Sequence, residues 1–303
     1  RIFAMDGFEL KLPRSQDVLA NGFDGHFVSR HRKQYYPTMY TVFCSDVLSE
    51  TIHSVAYSSH AGEAGMAKQM IVKMKKGSVC LYDRGFPSRA MMKAHFEAGV
   101  DFIFRLRSNS LPQGKKLLTQ SFKTRKVKIG EHTLTIIKIR NSKTNEYAIY
   151  ATSLPVSWIN EETISSLYRL RWECETLFLD LVNTIKTEQW HSLFLNGILQ
   201  EFFASLWLYN FTKLQILNAG QITKNPLKEV YQKPNFKLVL DWIISKLPKI
   251  LKRLLNPGPY IQKLVIKSTA TRTRYSRFKE RTSKQPASPY PYNNTLWDPA
   301  FLT

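Results

Sequence analysis

Residues 161–186 read Glu-Glu-Thr-Ile-Ser-Ser-Leu-Tyr-Arg-Leu-Arg-Trp-Glu-Cys-Glu-Thr-Leu-Phe-Leu-Asp-Leu-Val-Asn-Thr-Ile-Lys, a run without Gly or Pro. Apolar positions recur along it every three to four residues, which predicts a helix from Glu161 to Lys186. Steps of three and four residues put Tyr168, Arg171 and Glu175 on one face of that helix. An aromatic, a guanidinium and a carboxylate on one stripe suit a site that grips a phosphate and a metal ion together. A solvated helix face carrying an Arg–Glu pair would show the same triplet. Arg169 and Trp172 are offset from the stripe, and Trp172 is expected to pack in the core.

Two aspartates elsewhere add weight to the first reading. Asp6 follows Ile2-Phe3-Ala4-Met5 and precedes Gly7; Asp83 follows Val79-Cys80-Leu81-Tyr82 and precedes Arg84-Gly85-Phe86. Each is the pattern of a buried strand ending in a turn, with the acid at the strand's carboxyl end. Taken singly, either Asp would read as a turn residue or helix cap. Carboxylates from two strand ends and one helix can converge at a sheet's edge. There they repel unless cations neutralise them, so the constellation implies divalent metal. His60 and Glu63 are read instead as the opening turn of the helix that follows, outside any site.

Working outward, strands are expected near 2–7, 36–44, 50–57, 77–82 and 101–107, with helices near 61–76 and 87–99. The expected fold class is α/β, a mixed sheet flanked by helices. Residues 108–156 read as an inserted β-rich region. In it His132–Arg140 and Glu146–Thr152 alternate around Asn141-Ser142-Lys143-Thr144-Asn145, a predicted hairpin. Helical patterns return near 194–217 and 235–255. The expected organisation is a first core segment 1–107, the insertion 108–156 and the rest of the core 157–217. A helical C-terminal region 218–268 and a basic, loosely ordered tail 269–303 complete it.

The chain has 303 residues, 43% of them hydrophobic, enough for a sizeable core. Lys and Arg total 44 against 23 acids, a formal charge of +21. That balance concerns partners more than fold, and with no long apolar run it favours nucleic acid over membrane. Basic residues cluster at Arg30–Lys33, at Arg105, Arg107, Lys115, Lys116, Lys123, Arg125, Lys126 and Lys128, and between Arg272 and Lys284. Such clusters suit phosphate contacts that position a duplex without reading its sequence. The three cysteines, Cys44, Cys80 and Cys174, lack zinc spacing, and so sparse a count suits a reducing, cytoplasmic setting.

The segments around Asp6 and Leu10-Lys11-Leu12-Pro13, Leu81-Tyr82-Asp83-Arg84-Gly85-Phe86, Phe102–Arg107 and Tyr168-x-x-Arg171-x-x-x-Glu175 resemble, in this order, a known family. It is the bacterial insertion-sequence transposases of the IS-four group, with a DDE triad. The resemblance covers about residues 2–215. It implies a ribonuclease-H-like core and metal-dependent cleavage and strand transfer on double-stranded DNA. It also implies a DNA-bound homodimer and a bacterial, nucleoid-associated location. Asp6, Asp83 and Glu175 would hold two Mg²⁺ ions, with Mn²⁺ as substitute; hard oxygen ligands favour these over zinc. Tyr168 and Arg171 would contact DNA phosphate, with Arg105 and Arg107 on the strand behind.

The family's lysine falls on Val182, and Lys186, eleven residues after Glu175, stands as its substitute or as a solvated helix end. Tyr147 takes the place of an aromatic that stacks on a flipped base in members cutting through a DNA hairpin, or is an ordinary strand tyrosine. Beginning at Arg1, the chain is expected to lack the N-terminal DNA-recognition region of such transposases. Two alternatives stay open: a nuclease that cuts without joining, and an inactive DNA-binding remnant.

Overall fold

A computed structural model describes residues 1–24, 27–29, 32–33, 37–107, 120–140, 147–222 and 235–268. The chain divides into two compact units, one of residues 1–11 with 19–181, the other of residues 12–18 with the chain from 182 onward.

The first unit is built on an eight-stranded mixed sheet. Its members are β1 (Ile2–Lys11), β4 (Thr38–Asp46), β5 (Thr51–Ser58), β6 (Val79–Tyr82), β7 (Asp101–Arg105), β8 (Thr124–Ile129), β9 (His132–Arg140) and β10 (Tyr147–Thr152). The order is β5-β4-β1-β6-β7-β10-β9-β8. Two short strands, β2 (Phe27–Ser29) and β3 (Arg32–Lys33), form a separate antiparallel pair. β1 and β4 are antiparallel, whereas β1, β6 and β7 run parallel through helical crossovers. That is the α/β, ribonuclease-H-like arrangement the pattern of strands and helices predicts.

β4 is buried along nearly its whole length, because Met39, Val42, Phe43 and Cys44 meet side chains on both sheet faces. One face packs under α2 (Glu63–Ile71) and α3 (Arg89–Ala98) through Phe3, Met5, Met66, Met70, Met91, Phe102 and Phe104. Ser88 caps α3 by accepting from Met91 N–H at 3.1 Å, and Gly99 ends it at φ 64°, a conformation glycine adopts without strain.

The predicted β-hairpin is present, with Tyr147 opposite Arg140; its turn lies outside the described residues. β10 also pairs with β7, Tyr150 opposite Arg105, so the β-rich region continues the core sheet. β8 closes that edge with exposed Arg125, Lys126 and Lys128, which discourage strand addition by another chain.

The expected single helix over Glu161–Lys186 is three pieces: α4 (Glu161–Arg169), α5 (Trp172–Leu179) and a π-helical turn at Asp180–Ile185. Between α4 and α5 the bonds Leu170 N→Leu167 O, Arg171 N→Tyr168 O, Glu173 N→Leu170 O and Cys174 N→Arg171 O all span three residues. The chain tightens there to a 3₁₀ turn, in which residues three apart eclipse. Tyr168 and Arg171 therefore stand in line, as the sequence reading requires, although the helix is not continuous. Trp172 is 60% exposed and does not pack in the core, because the tightened turn points it outward.

In the second unit Ser15 Oγ donates to Leu193 O at 2.6 Å, and Asp17, in α1 (Gln16–Ala20), accepts from Leu195 N–H at 2.6 Å. Leu195 opens α6 (Leu195–Ile222). α7 (Phe236–Leu251) and α8 (Gly258–Ser268) pack on it around Ala219, Val239, Ile243 and Ile261. The tail beyond Ser268 and its basic run lie outside the described residues.

Candidate active site

The parallel pairing of β1 with β6 sets Met5 opposite Tyr82. One residue further on, Asp6 and Asp83 fall side by side on strands about 4.8 Å apart. β7 extends the row, since Tyr82 lies opposite Phe104 and Arg105 then falls beside Asp83. Asp6 does not end its strand as expected: β1 continues to Lys11 paired with β4, so Asp6 sits mid-strand where the parallel pairing with β6 stops, while Asp83 and Arg105 stand at the carboxyl ends of β6 and β7.

The third acid arrives on α5. Phe178 stacks on Phe8 at 4.6 Å between centroids and meets Phe43 edge-on at 5.5 Å. Cys174 Sγ lies 3.2 Å from Ser45 Oγ on β4. These contacts hold α5 against β1 and β4 and bring Arg171 and Glu175 over Asp6. Arg171 Nη1 donates to Asp6 Oδ2 at 2.7 Å, and Nη2 donates to Glu175 Oε1 at 3.1 Å. Its guanidinium carbon lies 5.8 Å from the Tyr168 ring centroid. Tyr168 rests edge-on against Tyr150 at 4.9 Å. Asp6 Oδ1 accepts from Gly7 N–H at 3.0 Å, and Asp83 Oδ1 from Gly85 N–H at 2.6 Å.

The electrostatics match this crowding. Burial lifts the Asp6 carboxyl from its ordinary value to about 6; Asp83 and Glu63 add to the rise, while Arg171 and Gly7 N–H oppose it. Burial works against the Arg171 charge, yet Tyr168, Asp6 and Glu175 together hold its pKa above the usual value. Burial raises the Tyr150 hydroxyl, and Arg105 and Arg84 pull it back; Arg171 and Arg105 likewise oppose the rise that burial gives Tyr168.

Among the described residues no three acids, as they stand, are gathered to enclose a metal ion. The reason is visible: Arg171 occupies the place between Asp6 and Glu175 as an internal cation. The donor set still fits a hard divalent ion, being carboxylate oxygen throughout. Arg171 Nε is buried without a hydrogen-bond partner. An orphaned N–H beside paired carboxylates suits an anionic oxygen, so the pocket fits a metal–phosphate pair.

Tyr147 opens β10 and is 50% exposed. Lys138 Nζ sits 4.4 Å over its ring, so one ring face is covered. Tyr147 lines a cavity of about 310 Å³ with Phe122, Lys123, Lys138, Arg140 and Glu161. Arg107 is exposed beyond β7. Lys186 is exposed at φ 64°, just past the π turn, and belongs to the second unit. A π turn takes more residues per turn than an α-helix, so the straight-helix phase from Glu175 to Lys186 does not hold. Two residues escaped the sequence reading of the site. Arg84, inside Asp-Arg-Gly-Phe, could have been found from that motif; Glu63 was read only as a helix start.

The chain belongs to the family described as "Transposase DDE domain", whose match covers residues 1–211. Its fold is similar to that of a piggyBac transposase, solved by cryo-EM as a synaptic complex with hairpin DNA. The TM-score is 0.56 at 13% identity, over 94% of this chain and 60% of that one. No curated protein matches the sequence. Among the described residues no helix is long and apolar enough to cross a membrane.

Proposed function

We propose that this chain is the catalytic part of an insertion-sequence transposase of the IS-four group, cutting double-stranded transposon ends and joining them to target DNA. The observation that carries this reading is the Asp6–Arg171–Glu175 bridge beside Asp83, in a chain of the transposase DDE domain family. Asp6, Asp83 and Glu175 would hold divalent cations, Mg²⁺ or Mn²⁺ and two in number. When bound, these supply an activated water or DNA 3′-OH and a counter-charge for the leaving oxygen.

The chain's own groups do the rest. Arg171, released from Asp6 and Glu175, turns its donors to the scissile phosphate. Tyr168 offers its hydroxyl to a neighbouring phosphate, and Arg105, Arg107 and Lys186 track the backbone. Tyr147, through its uncovered ring face, stacks on an unpaired base at the DNA end. A homodimer on paired ends completes the assembly.

A plasmid assay with Mn²⁺ separates this reading from its alternatives. Nicked and joined products support the transposase. Nicking alone makes the chain a nuclease, and DNA binding with neither product makes it an inactive remnant.

A further inference from the structure

Beneath Asp6, Asp83 and Arg105 lies a buried polar pair set among methionines and phenylalanines. Side chains alternate across a strand, so Met5 and Tyr82, each one residue before an acid, point into the core under α2 and α3. Asp6 points the other way, toward α5, as Phe8 does two residues on. His95, on α3, enters the same core and is fully buried, as Tyr82 is. Its Nδ1 lies 2.9 Å from Val100 O, and its Nε2 lies 2.9 Å from the Tyr82 hydroxyl. A carbonyl only accepts, so Nδ1 carries the proton. Burial pushes the His95 pKa down to about 4, against the pull of Val100 O, so the ring is neutral and Nε2 is bare. Tyr82 therefore donates to Nε2. Met5 Sδ lies 3.3 Å from the same hydroxyl oxygen.

The pair reaches all three parallel strands that carry the site. Tyr82 ends β6, immediately before Asp83. Val100 leads into β7, which ends at Arg105. Met5 belongs to β1 and precedes Asp6. Beyond Asp83 the chain turns back, and Phe86 packs on Tyr82 at 5.3 Å between centroids. Asp83 is thus held in a turn closed by two rings, the first of which His95 anchors. Hydrocarbon would fill this space without the cost that a buried polar atom carries when unbonded. What the hydrogen bond adds is direction. Methionine adapts its shape to its surroundings, whereas a donor and its acceptor must stay within about 3 Å of each other.

We infer that His95 and Tyr82 are positioning residues, whose hydrogen bond fixes Asp83 and its spacing from Asp6 from the far side of the sheet. The inference rests on the metal-site reading above and extends it to two residues that touch neither metal nor DNA. Without the bond, β6 can slip against β1 by an amount too small to unfold the chain and large enough to move one acid relative to the other.

The test compares Tyr82→Phe, which removes one oxygen and keeps the ring, with His95→Phe, the double variant, Leu134→Ala and Asp83→Asn. Leu134 lies in the same core on β9, away from the acids, and its variant reports the effect of a loosened core alone. Mn²⁺ binding without DNA, and kcat and KM for plasmid cleavage, are measured per folded molecule. Tyr82→Phe is expected to weaken Mn²⁺ binding and to lower kcat about tenfold each, the scale of a lost outer partner of a metal ligand, with KM for DNA unchanged. The double variant should be no worse than His95→Phe, because both changes break one bond. Should His95→Phe fail to fold, Tyr82→Phe decides alone. Leu134→Ala should lower the melting temperature and leave Mn²⁺ binding unchanged. If Asp83→Asn weakens binding while Tyr82→Phe does no more than Leu134→Ala, the positioning role is overturned and the metal-site reading stands. If Asp83→Asn changes neither binding nor cleavage, that reading fails and the inference falls with it.

Discussion

Arg171 Nη1 lies 2.7 Å from Asp6 Oδ2, across 165 positions of sequence. The same guanidinium reaches Glu175 four residues on, so one buried cation ties a strand acid to a helix acid. Under the proposed function a divalent ion would take over the neutralising of these acids, so Arg171 and the metal would compete for the same oxygens.

Competition makes a prediction of unusual sign. Arg171→Gln is expected to abolish cleavage while tightening Mn²⁺ binding by about tenfold, or ~1.4 kcal/mol. It should also lower the melting temperature without metal, since removing one partner strands a part-buried acid. Calorimetric titration of both proteins with Mn²⁺ checks this; equal or weaker binding in the variant contradicts it.

The raised Asp6 carboxyl predicts how stability follows pH when metal is absent. Its folded pKa of about 6 lies above the ordinary value, so the folded state holds the proton more tightly than the unfolded chain does. Stability contributed by that proton is present at about pH 4 and is lost as pH rises through about 6. A shift of about two units corresponds to ~2–3 kcal/mol. Urea denaturation at pH 4.5 and 6.5 should show the fall, and Asp6→Asn should flatten it. An unchanged slope in the variant would remove Asp6 as its source.

Phe178 anchors α5 to the sheet through Phe8 and Phe43. Phe178→Ala is expected to cost about 3 kcal/mol, as large-to-small core changes do. Phe178→Leu should recover most of that. The Ala variant should also lose cleavage beyond its loss of folded protein, because Glu175 rides on the same helix. Denaturation midpoints and activity per folded molecule measure the two effects separately.

Tyr147 offers one ring face to solvent and the other to Lys138. Tyr147→Ala should weaken binding to DNA with an unpaired end base by ~1–3 kcal/mol and leave blunt duplex binding unchanged. A fluorescence anisotropy titration with both DNAs decides; equal losses on the two would make Tyr147 a structural residue.

Much of this was legible in the sequence, for definite reasons. Asp6 and Asp83 announce themselves as the ends of apolar runs, but β1 runs on past Asp6 to Lys11 because Phe8 and Leu10 continue its pairing with β4, and the parallel register of β1 with β6 needs the fold. Tyr168 and Arg171, three apart, align whether the local turn is α or 3₁₀, and Arg171 and Glu175, four apart, fall on one face of the α-helical turn that follows. The break at Leu170–Arg171 and the π turn at Asp180–Ile185 leave no Gly or Pro to mark them. They reflect tertiary demands on Arg171 and α5 that composition does not record. The approach of Glu63 to Gly7 was out of reach, because it joins positions 56 residues apart. Arg171 as internal cation was likewise out of reach, since pairing it with Glu175 needs only the helix whereas pairing it with Asp6 needs the fold.

The most direct test is a crystal of this protein soaked in Mn²⁺ at a concentration that supports cleavage, with the manganese located by anomalous scattering. The expected result is ions within ligand distance of Asp6, Asp83 and Glu175, with Arg171 swung away from Asp6. Arg171 still bridging Asp6 and Glu175, with no manganese on any of the three acids, would contradict the catalytic reading.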